Sequence, residues 1–123
     1  MVEPVVFGIE TCDTVRRARQ WLRAQGIAHR FHDLRRDGLA RADLERWLAR
    51  VPWDTLVNRR GTTWRRLLPA QRAAVTDQSS AIEALLAEPT LVRRPVVEAG
   101  DVLLVGFTEA VYLAAFAAGA NAR

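Results

Sequence analysis

The 123-residue chain contains no lysine: all eighteen of its basic side chains are arginine. That excludes Schiff-base chemistry on a lysine amine and lysine clamps on phosphate. Cysteine is nearly as scarce. A single residue, Cys12, rules out an internal disulfide, and with only two histidines, His29 and His32, a structural zinc site lacks ligands. No apolar run approaches the roughly 20 residues that span a bilayer. Nor does Met1-Val2-Glu3-Pro4 offer the basic stretch and long apolar segment of a secretion signal. These absences point to a cytoplasmic protein with no metal, no tightly bound cofactor and no membrane partner, stabilised by packing. The formal net charge of +4 permits anion binding. The arginines are interleaved with acids and form no recognition helix or aromatic-basic motif, so direct nucleic-acid binding is not expected.

What is present fits one domain, 1–123, with half its residues apolar. The lone Cys12 sits where an apolar, strand-like run (Pro4-Val5-Val6-Phe7-Gly8) gives way to a helix opening at Asp13-Thr14. The free N–H groups and positive dipole end of a helix favour thiolate over thiol there, which reads as a nucleophilic cysteine. Val15, Ala18 and Leu22 share a helical face, and Gly26 suits the helix end. Ile27 to Leu34 reads as a weak strand with Phe31 as its best core candidate. Two strands joined by one helix are expected to run parallel.

A mostly helical stretch follows from about Ala40 to Glu88. Leu44, Trp47, Leu48 and Val51 keep helical spacing up to Pro52. Pro69 suits a first helical position, and Asp77 a cap for a helix carrying Ile82, Leu85 and Leu86. The four tryptophans are assigned to the core of this insertion. Val96-Val97 and Val102 to Val105 then flank a turn at Ala99-Gly100-Asp101, a hairpin signal. Thr108 caps a last helix with Val111, Tyr112 and Phe116 on or near its apolar face, and the tail from Ala117 is expected to fray.

Strand-helix-strand followed by hairpin and helix is the order of an α/β, thioredoxin-like fold. Its core is expected over about 1–36 and 90–118, with a helical insertion at about 37–89. Here the residues carry a resemblance. Gly8-Ile9-Glu10-Thr11-Cys12-Asp13-Thr14, with Phe31-His32-Asp33 and Asp37-Gly38-Leu39 behind it, resembles the arsenate reductase-like (ArsC) family. Asn58-Arg59-Arg60-Gly61-Thr62-Thr63-Trp64-Arg65 and Arg93-Arg94-Pro95 resemble its YffB-like branch, a neighbour of the Spx-type regulators.

The resemblance implies a nucleophilic Cys12 that works with glutathione or a similar small thiol, Arg94 beside it, and a cis bond before Pro95. Thr11, Thr14, Asn58, Arg60 and Pro95 are the candidate substrate-binding residues, with helix capping an alternative role for the two threonines. Two departures narrow the chemistry. Arsenate reductases of the family use an arginine triad. Here Asn58 occupies the insertion position, with Arg60 two residues on as a possible substitute, and Gly106 falls where the last arginine belongs. Efficient arsenate reduction is therefore not expected, because the oxyanion loses fixed donors. Second, Val15 stands at the partner position of a Cys-x-x-Cys switch. What remains is single-cysteine thiol exchange, in which a second thiol, glutathione or a similar one, must release Cys12. The alternative is an Spx-like interaction protein that binds RNA polymerase.

Overall fold

The computed structural model describes residues 3–121, with side chains as far as Ala117. In chain order the elements are β1 (Val5–Gly8), α1 (Asp13–Ala24), β2 (Arg30–Asp33), α2 (Arg41–Leu48), α3 (Trp53–Leu56), α4 (Thr62–Arg66), α5 (Pro69–Ala73), α6 (Gln78–Ala87), a 3-10 turn (Pro89–Leu91), β3 (Val96–Ala99), β4 (Val102–Val105) and α7 (Glu109–Asn121). They fall into two compact units, Met1–Asp33 with Arg94–Arg123, and Leu34–Arg93.

The first unit is a four-stranded sheet in the order β2-β1-β3-β4. β1 pairs parallel with β2 and antiparallel with β3, and β3 and β4 form the hairpin. The registers align Phe31, Val6, Val97 and Leu104 in one row across all four strands. Because side chains alternate across a sheet, this row presents one face to the helices. Val6 and Val97 are buried there with Ala18 and Leu22 of α1 and Tyr112 of α7, and Phe31, Leu104, Trp21, Phe107 and Phe116 pack around them. Arg19 of α1 lies over the Phe31 ring at 4.2 Å, covering the outer strand with a cation–π contact.

α1 ends in a Schellman motif. Gly26, at φ +70°, donates to the Arg23 carbonyl, and Ile27 donates to that of Leu22. The turn returns the chain to β2 within five residues. At the other end of the unit, the Thr108 hydroxyl accepts from the Val111 N–H and starts α7. Three expectations are corrected here. Val111 is 53% exposed, because Tyr112 takes the inward position next to it. Trp21 belongs to α1, where it meets Tyr112 edge-on at 5.8 Å, and so is not part of the insertion core. The tail is helical as far as Asn121, and the remainder of that expectation, Ala122 and Arg123, lies outside the described residues.

The second unit is helical. Leu44, Trp47 and Leu48 of α2 are buried, as are Leu56 of α3 and Ala81, Ile82 and Leu85 of α6. α2 stops at Leu48, a turn before Pro52, which instead occupies the N-cap of α3. Of the insertion's tryptophans only Trp47 is fully buried. A single bridge between Val57 and Val92 closes the unit, flanked by hydrogen bonds from Asn58 N to Leu91 O and from Arg93 N to Leu56 O. Asp77 caps α6, accepting from the Ser80 N–H at 2.8 Å while Ser80 Oγ accepts from Asp77 N.

Two predictions follow from these contacts. Tyr112 is buried, which pushes its phenol up from the ordinary value, and its hydroxyl donates to the Gly106 carbonyl at 2.7 Å. Tyr112→Phe should lower stability by about 1–2 kcal/mol, the cost of losing a buried bond and leaving its acceptor unmet, read from the urea midpoint. The second concerns Asp77. The Ser80 backbone bond, then the Ser80 hydroxyl, hold its carboxyl below the usual range. A depressed carboxylate contributes stability above its ordinary value and loses it as pH falls through the folded one. Thermal melts should therefore show a deficit for Asp77→Ala at neutral pH that narrows near pH 3, below the ordinary value of about 3.9.

Candidate functional site

The strand registers gather four chain segments at one end of the sheet. β1 ends at Gly8 opposite Asp33, the last residue of β2. Phe7 pairs with Val96, the first residue of β3, and Val96 pairs with Val105, the last of β4. The residues that flank β1, β3 and β4 at this end are the loop Ile9 to Cys12, the pair Arg94-Pro95, and Gly106. All leave the sheet at the end where the parallel pair β1 and β2 finishes.

Cys12 is the N-cap residue of α1, half-buried, with extended backbone angles (φ −80°, ψ 122°). Its N–H donates to Ile9 O and its carbonyl accepts from Arg16 N, each at 3.0 Å. It holds the place where serine or aspartate ordinarily caps a helix, and no side-chain cap bond is made there. The threonines therefore do not cap the helix, contrary to one expectation. Thr11 precedes the cap and is exposed, and Thr14 lies within the first turn, its Oγ1 accepting from Arg17 Nη2 at 3.5 Å.

The approach to Cys12 is tightly held. A side chain at Gly8 would come within 2.7 Å of Val15 Cγ2, so only glycine lets α1 sit this close to β1. Arg16 donates from Nη1 to the Asp13 carboxylate at 3.0 Å and from Nε to Glu10 O at 3.3 Å. This pairs the one carboxylate adjacent in sequence to the thiol with a cation. On its other side, the Glu10 N–H donates to Asp33 Oδ2 at 3.2 Å. Asp33 was not among the site residues read from the sequence. Its signal there was its place in the Phe31-His32-Asp33 motif, which carried the family resemblance without assigning the aspartate a role.

The Arg94-Pro95 peptide bond is cis, as the resemblance implies. Pro95 is buried and its carbonyl accepts from Gly106 N at 2.8 Å; Arg94 is half-buried with its Nε enclosed. Gly106 adopts φ +81°, a conformation L side chains avoid, and its carbonyl is the acceptor for Tyr112. Asn58 and Arg60 belong to the other unit. There Asn58 Oδ1 accepts from the Arg60 N–H at 3.1 Å, and Gly61 approaches so closely that a Cβ would lie 2.7 Å from Asn58 Nδ2. Asn58 thus shapes its own turn, and Arg60 is exposed.

Among the described residues, no cluster of His, Cys, Asp and Glu could hold a metal ion, and no helix is long and apolar enough to cross a membrane. His29 accepts from Arg19 Nε at 3.2 Å, and burial pushes it below the ordinary histidine value. His32 packs against Phe7 at 4.9 Å.

A parallel strand-helix-strand, an antiparallel hairpin with its helix, a cysteine at the first helix start and a cis proline at the head of β3 define a thioredoxin-like fold. The chain belongs to the ArsC family, whose model matches residues 7–115. It is 46% identical to a solved protein named YffB, covering 91% of this chain and 97% of that one with a TM-score of 0.86. It is 45% identical to an arsenate reductase (ArsC) related protein from Brucella melitensis, covering 93% and 94% with a TM-score of 0.73. An uncharacterized protein of Haemophilus influenzae is 42% identical over 112 residues, 91% of this chain and 97% of its own.

The left-handed Gly106 carries a prediction. Introducing a cation there as Gly106→Arg should cost about 1–2 kcal/mol, the penalty of a left-handed L residue, read from denaturant unfolding. An unchanged midpoint would mean that the turn adapts to a side chain.

Proposed function

We propose that this protein is a cytoplasmic, glutathione-dependent thiol oxidoreductase with Cys12 as its only nucleophile. The placement of Cys12 at the uncapped start of α1, on the sheet end that carries the cis Arg94-Pro95 pair, is the observation behind this reading. Membership of the ArsC family supports it.

The chemistry is a two-step exchange. Cys12, as thiolate, attacks one sulfur of a disulfide; that S–S bond breaks, a new one forms to Cys12, and the other sulfur leaves as thiolate. With no second cysteine in the chain, a glutathione thiolate then attacks the Cys12 mixed disulfide and frees Cys12. When the first adduct is itself with glutathione, the second step yields glutathione disulfide. Arg94 supplies the cation for a glutathione carboxylate, and Thr11, Thr14 and Pro95 line the approach. Arsenate is a poor substrate in this reading. Position 106 offers a backbone turn where the triad needs a guanidinium, and Asn58 is committed to its own turn.

The test is intact-protein mass spectrometry after exposure to oxidised glutathione. Wild type should form one adduct, at Cys12. Arg94→Ala should form it about 10-fold more slowly, the scale of one lost charge-assisted hydrogen bond. If wild type forms no adduct, the oxidoreductase reading fails and a non-enzymatic, interaction role takes its place.

A further inference from the structure

We propose that Asp33 is a positioning residue for Cys12, its buried carboxylate fixing the loop that delivers the thiol to the start of α1. The inference rests on the reading of Cys12 as the nucleophile.

Among the described residues Asp33 is the one buried charged side chain, 6% exposed. Aspartate is rarely buried unless it is bonded, because desolvating a carboxylate is costly. The bond it makes to Glu10 N crosses 23 residues of sequence and lands two residues before the thiol. The position explains the need. The ladder between β1 and β2 ends at the Gly8 and Asp33 pair. Beyond it the chain turns, closed by Cys12 N to Ile9 O. A continuing parallel strand would offer the next N–H a backbone carbonyl of its neighbour. Here the Asp33 side chain takes that carbonyl's place.

The two peptide groups that flank the Glu10 Cα are therefore both held, the N–H by Asp33 and the carbonyl by Arg16. The two anchors are not equivalent. The Arg16 contact is exposed, so water can replace it. The Asp33 acceptor lies in a buried residue, and its removal leaves the Glu10 N–H without that partner. Loosening this segment moves Cys12, and displacements of about 1 Å cost in-line reactions on the order of 100-fold.

The experiment compares wild type, Asp33→Ala and Asp33→Asn in the full chain by three measurements. These are the rate of Cys12 mixed-disulfide formation with oxidised glutathione, hydrogen exchange at the Glu10 amide, and thermal melting. Asp33→Asn keeps a carbonyl acceptor without the charge. The alanine variant should form the adduct at least about 10-fold more slowly and lose Glu10 protection. The asparagine variant should stay within about 3-fold of wild type and keep that protection. A wild-type rate and protection in the alanine variant would overturn the proposal, as would an asparagine variant no better than alanine. If alanine prevents folding, the asparagine variant decides alone: retained rate and protection support positioning, and a 10-fold loss with a wild-type melt overturns it. Should wild type form no adduct, the oxidoreductase reading fails. Glu10 exchange then still judges the anchor, with unchanged protection in the alanine variant counting against it.

Discussion

The constraint on which the site depends is the register of β1 against its two neighbours. Pairing Phe7 with Val96 and Gly8 with Asp33 brings the head of β3 and the ends of β1 and β2 to one edge of the sheet. A slip of one residue would displace Arg94-Pro95 by about 3.3 Å along the strand and turn the row containing Val6 to the opposite face. The core forbids the slip. Val6 and Val97 are fully buried with Leu22, Ala18 and Tyr112, so the packing that stabilises the unit also fixes the chemistry-bearing loops. Stability and site geometry are in this sense one interaction, which is why the loop to Cys12 needs only a few polar anchors of its own.

A lone thiol limits what such a site can do. Thioredoxin-like folds with two cysteines close the exchange internally; this chain has Val15 where the second would stand, and Val15 is buried against Gly8. The position has been given to packing. Under the proposed function, exchange through Cys12 ends on an outside thiol, and recognition of that thiol is then part of the mechanism. The absence of lysine assigns all fixed positive charge to guanidinium groups, whose planar donors suit carboxylates better than a point charge does.

Much of the fold was legible in the sequence because its signals are local. The apolar run ending at Gly8, the helical spacing of Val15, Ala18 and Leu22, Gly26 after the helix and Gly100 in the hairpin each mark an element without reference to the rest of the chain. Val111 and Tyr112 are adjacent apolar residues at a helix start, and spacing alone did not decide which faces inward. The ring contacts of Tyr112 with Trp21 and Phe107 decide it. Trp21 was misplaced for a related reason: its partners lie on α7, some ninety residues on. The candidate site divides in the same way. Cys12 is marked by its neighbours in sequence and Pro95 by the pattern around it. Asp33 stands in a motif that carried the family resemblance, but its bond to Glu10 forms across the strand ladder, and no local spacing gives that role.

Gly106 shows how one residue can serve the backbone at the expense of charge. Its φ of +81° is open to glycine, its N–H closes onto the carbonyl of the cis Pro95, and its own carbonyl receives the Tyr112 hydroxyl. The turn therefore ties the head of β3 to the start of α7 through two hydrogen bonds. An arginine there would bring strain to the segment that holds Pro95 in place, and Pro95 is the neighbour of the cation proposed to meet the substrate. In the proposed reading, such a site keeps Arg94 next to the cis Pro95 and forgoes a guanidinium at position 106. One fixed cation suits a single carboxylate of a thiol-bearing ligand, whereas a multiply charged oxyanion needs several.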